Sequence, residues 1–128
     1  MIDLRSDTVT HPTQAMLDAM VKAELGDDGW GDDPTLNLLQ ETAADLLGKE
    51  SAVFVPSGTM GNLASVMAHC QRGDEMIVGD QSHLYVYEYG SPSALGGISV
   101  RQVPVEDDGT FDINLIEDAI RPSLARYP

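Results

Sequence analysis

The sequence predicts an α/β fold, a mostly parallel sheet with flanking helices. Three observations predict it. Short apolar runs, "SAVFV" (51–55), "EMIVG" (75–79) and "ISVRQVPV" (98–105), alternate with segments whose apolar residues recur every three or four positions. The order is strand, helix, strand, crossover, strand, which is the order a parallel sheet requires. Glycine or proline stands at the junctions, at Gly26, Gly48, Gly73 and Pro122.

Each element has its own signal. Residues 1–12 read as an extended arm crowded with Asp3, Arg5, Ser6, Asp7, Thr8 and Thr10. Met16, Leu17, Met20 and Val21 then recur at helical spacing, which turns them to the core, places Lys22 on the opposite side, and lets Gly26 stop the helix. "GDDGWGDDP" (26–34) is a loop by composition. Asp33 is placed to cap a second helix with Pro34 at its first position. Leu36, Leu39, Ala43, Leu46 and Leu47 form that helix's apolar face, and Gly48 ends it. "SAVFV" reads as a short buried strand. A third helix follows, with Leu63, Val66, Met67 and Cys70 on one side and Gly73 closing it. "EMIVG" is the second strand, "DQSHLYVYEYG" (80–90) is irregular or briefly helical, and "ISVRQVPV" is the third strand. "EDDGT" turns the chain. Asp112 caps a last helix with Ile113, Ile116 and Ile120 inward, terminated by Pro122. Three strands are too few for a sheet covered on both faces. Residues 1–128 therefore read as one partial domain, the first part of a larger one.

Composition narrows the partners. Seven Lys plus Arg face 21 Asp plus Glu, a net charge of −14. That argues against nucleic acid and anionic membranes, which demand a basic face. Cys70 is the one cysteine, so no internal disulfide is expected. The N-terminus lacks a basic-then-apolar leader, and no run approaches the roughly 20 apolar residues of a membrane span. A cytoplasmic protein is the expectation.

Two motifs carry chemistry. "VPSGTMGN" (55–62) reads as strand, tight turn, helix. Backbone N–H groups at a helix N-terminus, aided by the helix dipole, hold phosphates. The turn lacks the Gly-Lys-Ser/Thr of a P-loop and the three spaced glycines of a dinucleotide site. Ser57, Gly58 and Thr59 thus make either a phosphate cup of another kind or an ordinary serine-capped turn. His83 follows the second strand, where α/β sheets place ligands. It is placed to stack on a planar ring or move a proton, or it is a plain surface histidine. Asp27, Asp28, Asp32 and Asp33 lack the calcium-loop alternation, and there is no Cys/His cluster, so no metal is expected. Tyr85, Tyr87 and Tyr89 alternate as one face of an extended segment would, suited to core or subunit interface.

Five blocks, "IDLRSDTVTHPT", "GDDGWGDDPT", "VPSGTMGN", "QRGDE" and "SH…YE", occur in an order and spacing that resembles the low-specificity L-threonine aldolases. These are fold-type I enzymes of pyridoxal 5′-phosphate (PLP) in the β-eliminating lyase group. The resemblance runs from Met1 to about Arg121 and implies the N-terminal portion of a PLP fold-type I large domain. It implies cleavage of threonine or allo-threonine to glycine and acetaldehyde, by a homo-oligomer, dimer or tetramer. By the same resemblance, Gly58 and Thr59 hold the PLP phosphate, and His83 stacks on the cofactor ring and accepts a proton. Ser6 helps bind the substrate carboxylate. Tyr87 and Glu88 lie near the substrate, Tyr87 reaching towards a partner subunit. Thr8 and Thr10 border a cation site in some relatives. Trp30 stands where many relatives have tyrosine. The lysine that carries the cofactor belongs to a later part of the family's sequence, so the 128-residue chain alone is expected to be inactive. Two other readings share the turn: a non-catalytic remnant, and another PLP-dependent lyase or aminotransferase-like enzyme.

Overall fold

In the computed structural model, which describes residues 2–121, the chain forms two units, Met1–Phe54 and Val55–Pro128. In the first unit the arm is extended apart from one 3-10 turn, Asp7–Val9, capped by the Ser6 hydroxyl. Helix α1 spans Gln14–Lys22, and its cap Thr13 accepts from the Met16 N–H. Helix α2 spans Pro34–Leu47. The Asp33 carboxylate accepts from the Leu36 N–H at 2.8 Å and from the Gly26 N–H at 3.1 Å, so one side chain caps the helix and closes the acidic loop. These N–H groups hold Asp33 below the usual carboxylate range. Gly48, at φ +59°, ends α2 in the left-handed conformation that glycine adopts without steric cost. Cap, proline and glycine all stand where the sequence places them.

Burial in this unit departs from the sequence pattern. Helix α1 stops at Lys22, before Gly26, and Met16, Met20 and Val21 are exposed, with only Leu17 half-buried. Leu39, Leu46 and Leu47 of α2 are also exposed, while Ala44 is buried. "SAVFV" is not a buried strand: residues 51–55 have no ladder partner among the described residues, and Val53 is 79% exposed. A strand exists only through the hydrogen bonds of a neighbour. Apolar composition supplies the wish for one and not the neighbour. One tie holds this segment locally, from the Phe54 N–H to the Gln40 side chain at 2.8 Å.

The second unit contains α3 (Gly58–His69), β1 (Glu75–Gly79), α4 (His83–Val86), α5 (Ser91–Ala94), β2 (Ser99–Val103) and α6 (Ile113–Ala119). Among the described residues two strands are therefore present where the pattern predicts three. They pair in parallel, from Glu75 opposite Ser99 to Gly79 opposite Val103, with α4 and α5 in the crossover. Ile98, Pro92, Val103 and Ala119 form the buried core. Gly79 is required at the end of β1: a Cβ there would meet Val105 at 2.5 Å and Phe111 at 2.9 Å. Asp112 caps α6, accepting from the Asn114 N–H at 2.9 Å.

Three expectations fail here for local reasons. Helix α3 ends at His69 with Cys70 as its cap, so Gly73 lies in the following turn, at φ +96°. Of its expected face, Met67 is exposed and Leu63, Val66 and Cys70 are half-buried. The tyrosines do not share an extended face: Tyr85 lies in α4, Tyr87 is helical and Tyr89 is left-handed at φ +53°. Ile113 and Ile120 are exposed and only Ile116 turns inward, because β2 covers one side of a short helix. Pro122 lies outside the described residues.

Candidate active site

The end of β1 positions the first site residue. The Ser82 N–H bonds to the Gly79 carbonyl at 3.0 Å, and this turn delivers His83 as the first residue of α4. After one helical turn come Tyr87 and Glu88, then two left-handed residues, Tyr89 at φ +53° and Gly90 at φ +67°. The chain reverses at that point, with Glu88 turned inward. Its side chain is fully buried, whereas that of His83 is 63% exposed. Glu88 Oε1 lies 2.8 Å from His83 Nδ1 and accepts from Asn62 Nδ2 at 2.7 Å. The Tyr87 ring sits against His83, with centroids 5.2 Å apart and planes tilted by 42°.

Burial pushes the Glu88 carboxyl up. The hydrogen bonds from Asn62 and His83, and the charge of a protonated His83, outweigh burial and hold it below its ordinary value. The group is thus a carboxylate, and a carboxylate only accepts. The nitrogen facing it, Nδ1, must carry the hydrogen, which leaves Nε2 as the variable end of the ring. Glu88 Oε2 and the Ser91 hydroxyl are buried without a partner among the described residues.

Asn62 connects this cluster to the turn in "VPSGTMGN". The Ser57 hydroxyl accepts from the Met60 N–H at 3.1 Å, and the Ser57 carbonyl accepts from the Gly61 N–H at 3.1 Å. The N–H groups of Gly58 and Thr59 have no partner among the described residues. A Cβ at Gly58 would meet nothing within 4 Å, so the turn is open to a ligand on that side. Asn62 is four residues along from Gly58 and therefore a neighbour on the same helix face. Through Glu88, His83 is tied to the face of α3 that carries the free donors. Free amides, an open glycine and an adjacent exposed ring fit a cofactor that combines a phosphate with a planar heterocycle.

The family model for Beta-eliminating lyase matches residues 3–127. The chain belongs to the beta-eliminating lyase family. It is 57% identical over 121 residues to low-specificity L-threonine aldolase 1 of Arabidopsis thaliana, covering 94% of this chain and 34% of that protein. It is 50% identical over 122 residues to the low specificity L-threonine aldolase of Escherichia coli strain K12, covering 95% of this chain and 37% of that protein. The chain thus spans about a third of the length of the curated relatives it matches. The likeness carried by five short blocks extends over nearly the whole chain, and the expected α/β class of this lyase family stands.

Three further expected site residues of this beta-eliminating lyase, Ser6, Thr8 and Thr10, lie in the first unit, where the Ser6 hydroxyl meets the Thr8 hydroxyl at 2.8 Å and caps the Thr8 N–H at 3.2 Å. Among the described residues no group of three or more His, Cys, Asp or Glu is arranged to hold a metal ion. An apolar cavity of about 90 Å³ beside Met76, Val78, Leu84 and Tyr85 has none of His83, Glu88 or Asn62 in its lining. Sequence reasoning missed Asn62 altogether. Its signal was its place one helical turn beyond Gly58, inside a motif already singled out.

Proposed function

We propose that His83 and the first turn of α3 form the cofactor end of a PLP-dependent aldolase site. Its substrates are β-hydroxy-α-amino acids, threonine and allo-threonine among them, split to glycine and an aldehyde. The observation that carries this reading is the shared Glu88 Oε1, which joins His83 to Asn62 one turn from the free Gly58 and Thr59 amides. When bound, PLP supplies an electron sink for breaking the Cα–Cβ bond. The Gly58 and Thr59 N–H groups, with the Thr59 hydroxyl, hold its phosphate dianion, and the positive end of the α3 dipole lies behind them. His83 offers an exposed ring face for stacking and Nε2 as acceptor for the substrate hydroxyl proton. Glu88, expected beside the substrate, has a buried side chain and acts through His83. Ser6 and Tyr87 are carried as substrate contacts by the family blocks alone. The threonine aldolase names of the relatives support the reaction class. The assembly we propose is a cytoplasmic homo-oligomer whose remaining residues come from the part of the family sequence that the match does not cover.

His83→Phe in the full-length protein tests the reading. Phenylalanine keeps a flat ring and cannot accept a proton. The variant is expected to retain bound, coloured PLP while kcat falls by about 100-fold or more. Full activity removes the proton-acceptor role.

A further inference from the structure

We propose that Glu88 is a positioning residue that locks His83 as its Nδ1–H tautomer, leaving the Nε2 lone pair facing outward to take the substrate's proton. The inference rests on the reading of His83 given above. Three observations on the second unit carry it. First, Oε1 is held from two sides, by Asn62 at 2.7 Å and by His83 at 2.8 Å, so the acceptor that faces the ring is fixed in place. An acceptor-only group opposite Nδ1 excludes the other neutral tautomer.

Second, the arrangement is a poor way to build stability. The carboxylate is fully buried with Oε2 unpartnered among the described residues, and an apolar side chain would suit such a place at least as well. The His83 side chain is 63% exposed, so water could satisfy its ring nitrogens without any help from Glu88. Third, the backbone is strained where it turns Glu88 inward. Tyr89 is the one non-glycine residue at positive φ among the described residues, and its side chain is fully exposed, so no packing offsets the strain. A buried carboxylate with one oxygen unpartnered and a strained turn at one point are what a site held for chemistry shows.

The test uses the full-length protein with histidine labelled by nitrogen-15 in the ring, measured first without cofactor. The His83 signals are assigned by their loss in His83→Phe. Neutral His83 is expected to be almost wholly Nδ1–H. In Glu88→Gln the Asn62 amide keeps a neutral acceptor oxygen towards the ring, so the Nδ1–H preference should persist while the charge that supports a protonated ring is lost. The kcat of this variant should fall by about 10- to 100-fold with KM nearly unchanged. Glu88→Met removes the acceptor and keeps the volume. It should lose the tautomer preference while its thermal midpoint holds or rises. A merely structural tie predicts the opposite, a lowered midpoint with the tautomer unchanged. The proposal is overturned if wild-type His83 is chiefly Nε2–H, or if Glu88→Met leaves the tautomer ratio as it was. If His83→Phe keeps full kcat, the proton-acceptor reading fails separately, and the tautomer measurement still decides the hold of Glu88 on the ring.

Discussion

The two units differ in what their apolar residues achieve. In Met1–Phe54 the helices have correct caps, yet Met20, Val21, Leu46, Leu47 and Val53 are each more than two-thirds exposed. In Val55–Pro128 a pair of strands is present, and Ile98, Val103 and Ala119 are nearly inaccessible. Both units contain helices with good local signals. Among the described residues only the second contains two segments that satisfy each other's backbone and so leave one face free to bury side chains. The difference teaches that a cap stabilises a helix from within a few residues, whereas a core needs a second layer. The candidate site belongs to the unit with the sheet, because a strand end and a helix start must be held in register to bring His83 near α3.

The largest effect that would sharpen this contrast lies in the core. Ile98→Ala in the 128-residue chain is expected to cost about 2–5 kcal/mol, as deletions of buried isoleucine do. Val53→Ser in the first unit should stay within about 0.5 kcal/mol, as for an exposed position. Urea midpoints of the two variants check both figures. Equal losses would mean that the first unit buries more than its exposures allow.

A smaller effect separates ligand binding from folding within the second unit. Thr59→Val in the full-length protein should weaken PLP binding by about 1.5–3 kcal/mol, the worth of a hydrogen bond to a charged group. That is roughly 10- to 100-fold in Kd. An absorbance titration reads it, and an unchanged Kd would remove the Thr59 hydroxyl from the phosphate site.

The smallest effect concerns pH. The folded Glu88 carboxyl titrates below its ordinary value of 4.5. Its ionisation therefore contributes stability that is fully present above pH 4.5 and lost as pH falls through the folded value. Asp33 in the first unit is lowered as well, by the Leu36 and Gly26 amides, so total acid unfolding mixes both. The difference between wild type and Glu88→Gln isolates the second unit. It should shrink steadily as denaturant midpoints are measured from pH 6 down to pH 3, and a constant difference would place the Glu88 shift elsewhere.

Several features are legible in the amino-acid sequence by itself. Asp33, Pro34 and Gly48 bracket α2, Ser57 caps α3 and Asp112 caps α6, because each of these signals acts through a hydrogen bond or a φ angle within a few residues. The strands at Glu75–Gly79 and Ser99–Val103 are legible for a similar reason, as short apolar runs between turn residues. The order of five blocks points to the family. Tertiary structure alone decided the rest. It left 51–55 without a partner, and it exposed α1, since a helical stripe states which side is apolar and not what will cover it. It also brought the buried Glu88 carboxylate to His83 and Asn62. Asn62 and Glu88 are 26 residues apart, and no local pattern fixes a contact at that separation. It forms only when the β1 turn and the reversal at Tyr89–Gly90 bring the carboxylate back to α3.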